Sequence, residues 1–474
     1  MSQVLESVSH LLVTPGNPPR DVDGLDHERC AALHNPIFKH GWTASGRAAE
    51  DFIPQTRPYV ELYPQILQDD CLQPSTLAFL RLARALPMAH EVNLFYMVFG
   101  LSVKTGHLEA LYYPIQIPPR CCTALIRSLL QNRKASLYIK SYDQNTNKAI
   151  MMFDITDDLE LDYPWQKLES ILTVWIEMIQ RGKIVALHTS IGTGSYEWDA
   201  AGGFHPTEGP RDPSTGARRL NTAQRPWTIL PYSRKDLQDS LELWRKIVET
   251  IESKMGINGP SAVRGLLDTG CLDGARIPIG FARDFLSRAV RPRFSRIAPG
   301  LSVPSEEHFS SQPYLDGQAE PECDDIIPPI MLFRGDTCVS PDDISWCGFQ
   351  PKASATECPI GLYLHYCDRL SEWPQEAGCR LVLPSRLEAG WAKQSDLSAA
   401  DQLDNLLQSG VNPYAPSHPV QLLAFLERIY LNVHSGHWDV DENGVAGGIE
   451  AWRKADTEQG WPYYHVPVGP GQYW

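Results

Sequence analysis

Closely spaced carboxylates are the first residues in this chain whose types and spacing suit chemistry. The run FDITDDLELD holds Asp154, Asp157, Asp158, Glu160 and Asp162. Carboxylates this close raise one another's pKa, which suits a general base or acid, and a few of their oxygens can hold Mg²⁺. The plainer alternative is a solvated run that caps the following helix, with Asp162 just before Pro164. Further on, ALHTSIGTGSYEWD places Ser190, Gly192 and Gly194 at the exit of an expected strand. Hydroxyls and backbone N–H groups there suit a phosphate or carboxylate. No GK[ST] follows and Ser190 is not in a G-x-S-x-G setting, so neither a Walker A loop nor a nucleophile elbow is present. A polar turn leading into a surface loop is the alternative.

Two further patterns carry charge. The segment RIPIGFARDFLSRAVRPRFSR holds Arg276, Arg283, Arg288, Arg291, Arg293 and Arg296 against a single acid, Asp284. Guanidinium groups bind phosphates in bidentate fashion, so the segment is a candidate tRNA or anion site, or else a basic face paired with surface acids. Near the C-terminus, DVDENGVAGGIE fits D-x-[DN]-x-[DN]-G-x5-E, the spacing of a calcium-binding EF-hand loop. Asp439, Asp441, Asn443 and Glu450 would supply side-chain oxygens and Val445 a backbone carbonyl, with Gly444 at the sharp turn. Ala446, Gly447 and Gly436 fit that loop less well, and no second loop accompanies it, so a turn joining two packed helices is the competing expectation.

These residues need elements to position them. Runs rich in aromatic and branched residues, joined by the KTGH turn and by the polar DQNTNK, predict hairpins over 92–117 and 136–155, with a short amphipathic helix, CTALIRSLLQNRK, between them. Helices are expected after Pro74, over WQKLESILTVWIEMIQRG with a stop at Gly182, and over RKDLQDSLELWRKIVETIESKMG. KIVALHTS reads as a buried strand, and 191–227 as a long lid-like loop. IMLFRG and GLYLHYC read as strands, LSAADQLDNLLQSG as a helix, and 419–458 as a helix-loop-helix. The expected class is α+β, with antiparallel hairpins interleaved with helices, long loop excursions and a helical C-terminal part. The expected domains are 1–260 and a mainly helical 275–474.

Composition limits the function classes. A chain of 474 residues with 43% apolar and 21% charged residues folds around a sizeable core. A net charge of −15 opposes unspecific binding to nucleic acid or anionic membranes over the whole surface. No segment approaches the roughly 18 consecutive apolar residues of a membrane span, so the expected address is cytoplasmic, with no membrane partner. Eleven cysteines without a CxxC pair suggest buried thiols rather than a metal ribbon.

On the acidic strand-to-helix junction, the lone basic segment and the size, the chain resembles the arginine-containing cyclodipeptide synthases of filamentous fungi. Asp157-Asp158-Leu159-Glu160 stands where that family has Asp-Asp-x-x-Glu, with the glutamate one residue earlier. The resemblance implies condensation of arginine, delivered as arginyl-tRNA, with a second amino acid into a cyclic dipeptide, with no cofactor required for the chemistry. Those carboxylates would deprotonate the attacking amine, and the arginines would hold tRNA phosphates. Two alternatives stand beside it: a transferase acting on an anionic small-molecule donor through Ser190, Gly192 and Gly194, and a calcium-responsive interaction protein using 439–450.

Overall fold

The computed structural model describes residues 3–68, 72–86, 122–126, 139–143, 147–152, 166–186, 194–198, 204–208, 227–257, 259, 265–310, 312–313, 326–344, 357–368, 375–410, 414 and 419–467. The chain divides into two compact units, 1–229 with 412–416, and 230–411 with 417–474. Helices and antiparallel strands occur in both, as the α+β expectation has it.

In the first unit, α1 (His27–Ala44) starts at Asp26, whose side chain accepts the Arg29 N–H. It packs against α2 (Pro74–Leu82) and α3 (Leu168–Arg181). The apolar stripe of α3 is buried through Ile171, Leu172, Trp175 and Ile176, and Gly182 ends the helix in the left-handed region at φ 77°. Strands β1 (Cys122–Ile126), β2 (Ile139–Asp143), β3 (Lys148–Met152) and β4 (Gln166–Lys167) form an antiparallel sheet in that order. Cys122–Ile126 is therefore a strand and not the expected helix: a short run with β-branched Thr123 and Ile126 takes the edge offered by β2. The hairpin expected over 136–155 is present as β2 and β3, while the one over 92–117 lies outside the described residues.

The strand expected at 183–190 is β5 (Ile184–Ala186). Within 191–227, β6 (Gly194–Trp198) and β7 (Phe204–Glu208) pair with each other, and β8 (Trp227–Ile229) pairs with β5. Part of the expected lid is thus an antiparallel hairpin, for which Tyr196, Trp198 and Phe204 supply strand-forming residue types.

A buried polar knot lies within the first unit. Arg29 is 1% exposed and donates to the carbonyls of Leu11, Asn17 and Pro18, tying the N-terminal segment down. Beside it, the Cys30 thiol lies 3.7 Å from Glu169 Oε2, and Glu169 Oε1 has no hydrogen-bond partner among the described residues. Burial pushes the Glu169 carboxyl above its ordinary range. The folded protein therefore keeps this proton when the unfolded chain has lost it. The stabilisation is full below the ordinary value of 4.5 and is lost as pH rises through the raised value. Glu169→Gln should flatten that loss in melts taken from about pH 4 to 8; an unchanged slope would place its source elsewhere.

The second unit begins at Leu230, earlier than the expected boundary. Helix α4 (Arg234–Lys254) belongs to it because its apolar face packs on this unit's own elements. A reciprocal Ser233/Asp236 capping box starts the helix. Trp244 stacks on Phe333 at 5.7 Å between ring centroids and donates its Nε1–H to the Val290 carbonyl at 2.7 Å. Helices α5 (Phe281–Arg288) and α6 (Leu422–His434) pack against α4.

This unit is built around an eight-stranded sheet rather than being mainly helical. Its strands are β9 (Arg296–Ala298), β10 (Leu301–Ser302), β11 (Ile330–Val339), β12 (Cys358–Leu364), β13 (Gly378–Val382), β14 (Val420–Gln421), β15 (Val440–Asp441) and β16 (Gly444–Val445). Their order is β14-β13-β12-β11-β10-β9-β16-β15. All neighbours are antiparallel except β9 and β16, which run parallel. LSAADQLDNLLQSG forms turns instead of a helix, with Leu397 and Leu407 at φ 68° and 65°. Its polar groups are drawn elsewhere: the buried Asp404 carboxylate pairs with Arg380 at 3.1 Å, and Gln408 Nε2 donates to the Cys379 carbonyl. Among the described residues no helix is long and apolar enough to cross a membrane.

Candidate functional site: a cleft on the bulged strand

Strand β11 is irregular twice. From Met331 to Phe333 it advances two residues while its partner advances one, from Tyr363 to Leu362. From Arg334 to Cys338 it advances four while β12 advances two, from Gly361 to Pro359. Bulges re-aim side chains and recur beside functional sites. Gly335 lies in the second bulge because a Cβ there would stand 2.5 Å from Ile360 Cγ1. Opposite, Gly361 has φ +143°, and a Cβ would fall 2.2 Å from the Phe333 carbonyl oxygen.

Beside these bulges lies a cleft of ≈ 170 Å³. Phe309, Met331 and Leu332 form a buried apolar floor, while Ser302, Ser305 and Asp336 form an exposed rim with the half-buried Arg334. Gln312 closes one wall. Its Nε2 donates to the Met331 carbonyl at 3.2 Å and its Oε1 accepts the Met331 N–H at 2.8 Å, so its amide is fixed to the strand. Neither Arg334 nor Asp336 makes an ion pair among the described residues.

The basic segment has a different character. Arg283 pairs with Asp273 and donates to the Ile277 carbonyl. Arg291 pairs with Glu306 at 2.5 Å and donates to the Leu266 carbonyl. Arg293 meets the buried Glu252 twice, through its N–H at 2.9 Å and its guanidinium at 2.5 Å. Arg296 pairs with Asp441 at 2.5 Å. Four of the six guanidiniums thus tie separate parts of the second unit together. Arg276, at φ 53°, and Arg288, at the end of α5, are exposed and make no ion pair among the described residues.

The calcium-like loop is a hairpin. Asp441 faces Gly444 across the β15–β16 turn. Its Oδ1 accepts the Asn443 N–H at 2.7 Å, and its Oδ2 meets Arg296. The Asn443 N–H and then Arg296 hold this carboxyl below its ordinary range. The Asn443 carbonyl accepts the N–H groups of Ser295 and Arg296, and Glu450 pairs with Arg453 at 2.8 Å. An EF-hand needs its oxygens to converge at 2.3–2.6 Å on one ion. Among the described residues no three His, Cys, Asp or Glu groups are grouped to hold one. From Ile449, inside the end of the loop, the chain continues as a 3₁₀ helix, Ile449–Asp456, in place of the expected second α-helix. Melting curves in saturating calcium and in chelator should superimpose; a rise with calcium would mean that the Arg296 pairing gives way to the ion.

Asp157, Asp158, Glu160, Ser190 and Gly192 lie outside the described residues, and Gly194 opens β6 opposite Glu208. The cleft is absent from the sequence-derived candidates. Its one local signal is Gly335 between Arg334 and Asp336 in a strand pattern, since a glycine inside a strand marks a bulge or a close approach. No family model, curated protein or solved structure matches this chain.

Proposed function

We propose that the protein is an enzyme acting on a small anionic molecule, which it receives in the cleft beside Arg334. The Arg334 guanidinium, which makes no ion pair among the described residues and lines a cleft with a buried apolar floor, carries this reading. A guanidinium takes a carboxylate or phosphate through two parallel hydrogen bonds, and the apolar floor excludes water from one side of them. The size favours a compact metabolite: a cavity of about 150 Å³ holds benzene, so ≈ 170 Å³ takes roughly six to ten non-hydrogen atoms. The test is thermal stabilisation of the full chain by 4-methylpentanoate and by inorganic phosphate at about 10 mM. Absence of any shift with either would sink the reading.

A second reading keeps the implied condensation of arginine, delivered as arginyl-tRNA, with a second amino acid in the cytoplasm. The exposed Arg276 and Arg288 favour it, being cations of the basic segment left for a nucleic-acid backbone. Asp157, Asp158 and Glu160 would then supply the base. Purified protein should retain tRNA and lose it on combined Arg276→Ala and Arg288→Ala; protein free of nucleic acid after gentle low-salt purification would remove this reading.

A further inference from the structure

We infer that the cleft takes its ligand as a compact zwitterion, with Arg334 on the carboxylate and Asp336 on an ammonium group. This rests on the reading of the cleft as a site for small carboxylates and narrows it to one class, α-amino acids with short apolar side chains.

Arg334 and Asp336 are two residues apart on one strand, and both line the cleft. Opposite charges at that spacing on a regular strand would share a face and readily meet. Here they do not pair with each other or with any other described charge. The bulge between Arg334 and Cys338 takes Asp336 out of the regular ladder. A cation and an anion thus line one cavity with no ion pair between them, the inverse of the charge pattern of an amino acid.

The remaining walls agree with that ligand. Phe309, Met331 and Leu332 give an aliphatic side chain an apolar floor. Gln312 is spent on the Met331 backbone and contributes shape rather than recognition. A dicarboxylate or diphosphate would set its second anion against Asp336, and a simple carboxylic acid would leave Asp336 without its partner. Asp336 lies at the exposed rim, so it selects by repelling a second anion and by the modest pairing that an ammonium group adds.

The test compares L-leucine with 4-methylpentanoate, which lacks its amine, and 3-methylbutylamine, which lacks its carboxylate, by calorimetry on the full chain. L-Leucine should bind at least tenfold more tightly than the amine and about two- to fivefold more tightly than the acid. Asp336→Asn should erase its advantage over 4-methylpentanoate while leaving the affinity of the acid equal or higher. Asp336 is exposed and the replacement is isosteric, so an unchanged melting temperature should confirm the fold. Equal affinities for L-leucine and 4-methylpentanoate in the unaltered protein would overturn the zwitterion assignment and leave the carboxylate site standing. Binding of none of the three would overturn both.

Discussion

Arg334→Gln leaves the second unit folded and weakens binding of 4-methylpentanoate to the cleft by roughly 10- to 150-fold. That range is what losing a charge-assisted hydrogen-bond pair worth about 1.5–3 kcal/mol would produce. The fold survives because Arg334 makes no ion pair among the described residues, and its backbone stays in the β11–β12 ladder at Gly361. Calorimetry gives the affinity and a thermal melt the fold. Retained affinity would take the guanidinium out of recognition, whereas a large drop in melting temperature would make Arg334 a structural residue.

The largest stability effect is expected at Gly361→Ala. At φ +143° an L-residue is strained by about 1–3 kcal/mol. The added Cβ would also stand 2.2 Å from the Phe333 carbonyl oxygen, so the central pair of strands must separate. Overpacking costs about 1–3 kcal/mol where side chains can yield, and backbone yields less. A loss of about 3 kcal/mol or more is expected, which lowers the melting temperature by roughly 6–12 °C for a unit of this size. Because Phe333 adjoins Arg334, ligand affinity should fall with it. A shift of only one or two degrees would mean that β11 and β12 adjust at little cost.

The parts of the fold legible in the sequence are those whose signals are local. The long helix over 234–254 carries its apolar stripe within its own residues and its capping box at its first turn, and the hairpin of β2 and β3 has apolar and aromatic residues on both sides of the polar DQNTNK connection. Where partners are distant, the signal fades. Asp441 meets the EF-hand spacing letter for letter, yet its oxygens are taken by Asn443 and by Arg296, 145 residues away. Arg293 looks like a surface cation until Glu252 is brought beside it. LSAADQLDNLLQSG has helical periodicity, but a buried Asp404 and Gln408 draw it into turns. The cleft depends on how far β12 advances against β11, a property of pairing that neither strand states by itself.

The parallel pairing of β9 with β16 has a consequence for the order of events during synthesis. Arg296 lies opposite Gly444, so the first strand of this seam leaves the ribosome long before its neighbour. At about 5–20 residues per second, the intervening stretch takes on the order of ten seconds to emerge. Throughout that time β9 is an open edge, with Arg296 lacking Asp441 and the Ser295 and Arg296 N–H groups lacking the Asn443 carbonyl. Unpaired edges recruit other strands. A nascent or shortened chain ending before residue 440 should therefore aggregate or engage chaperones, even with most of the sheet already translated.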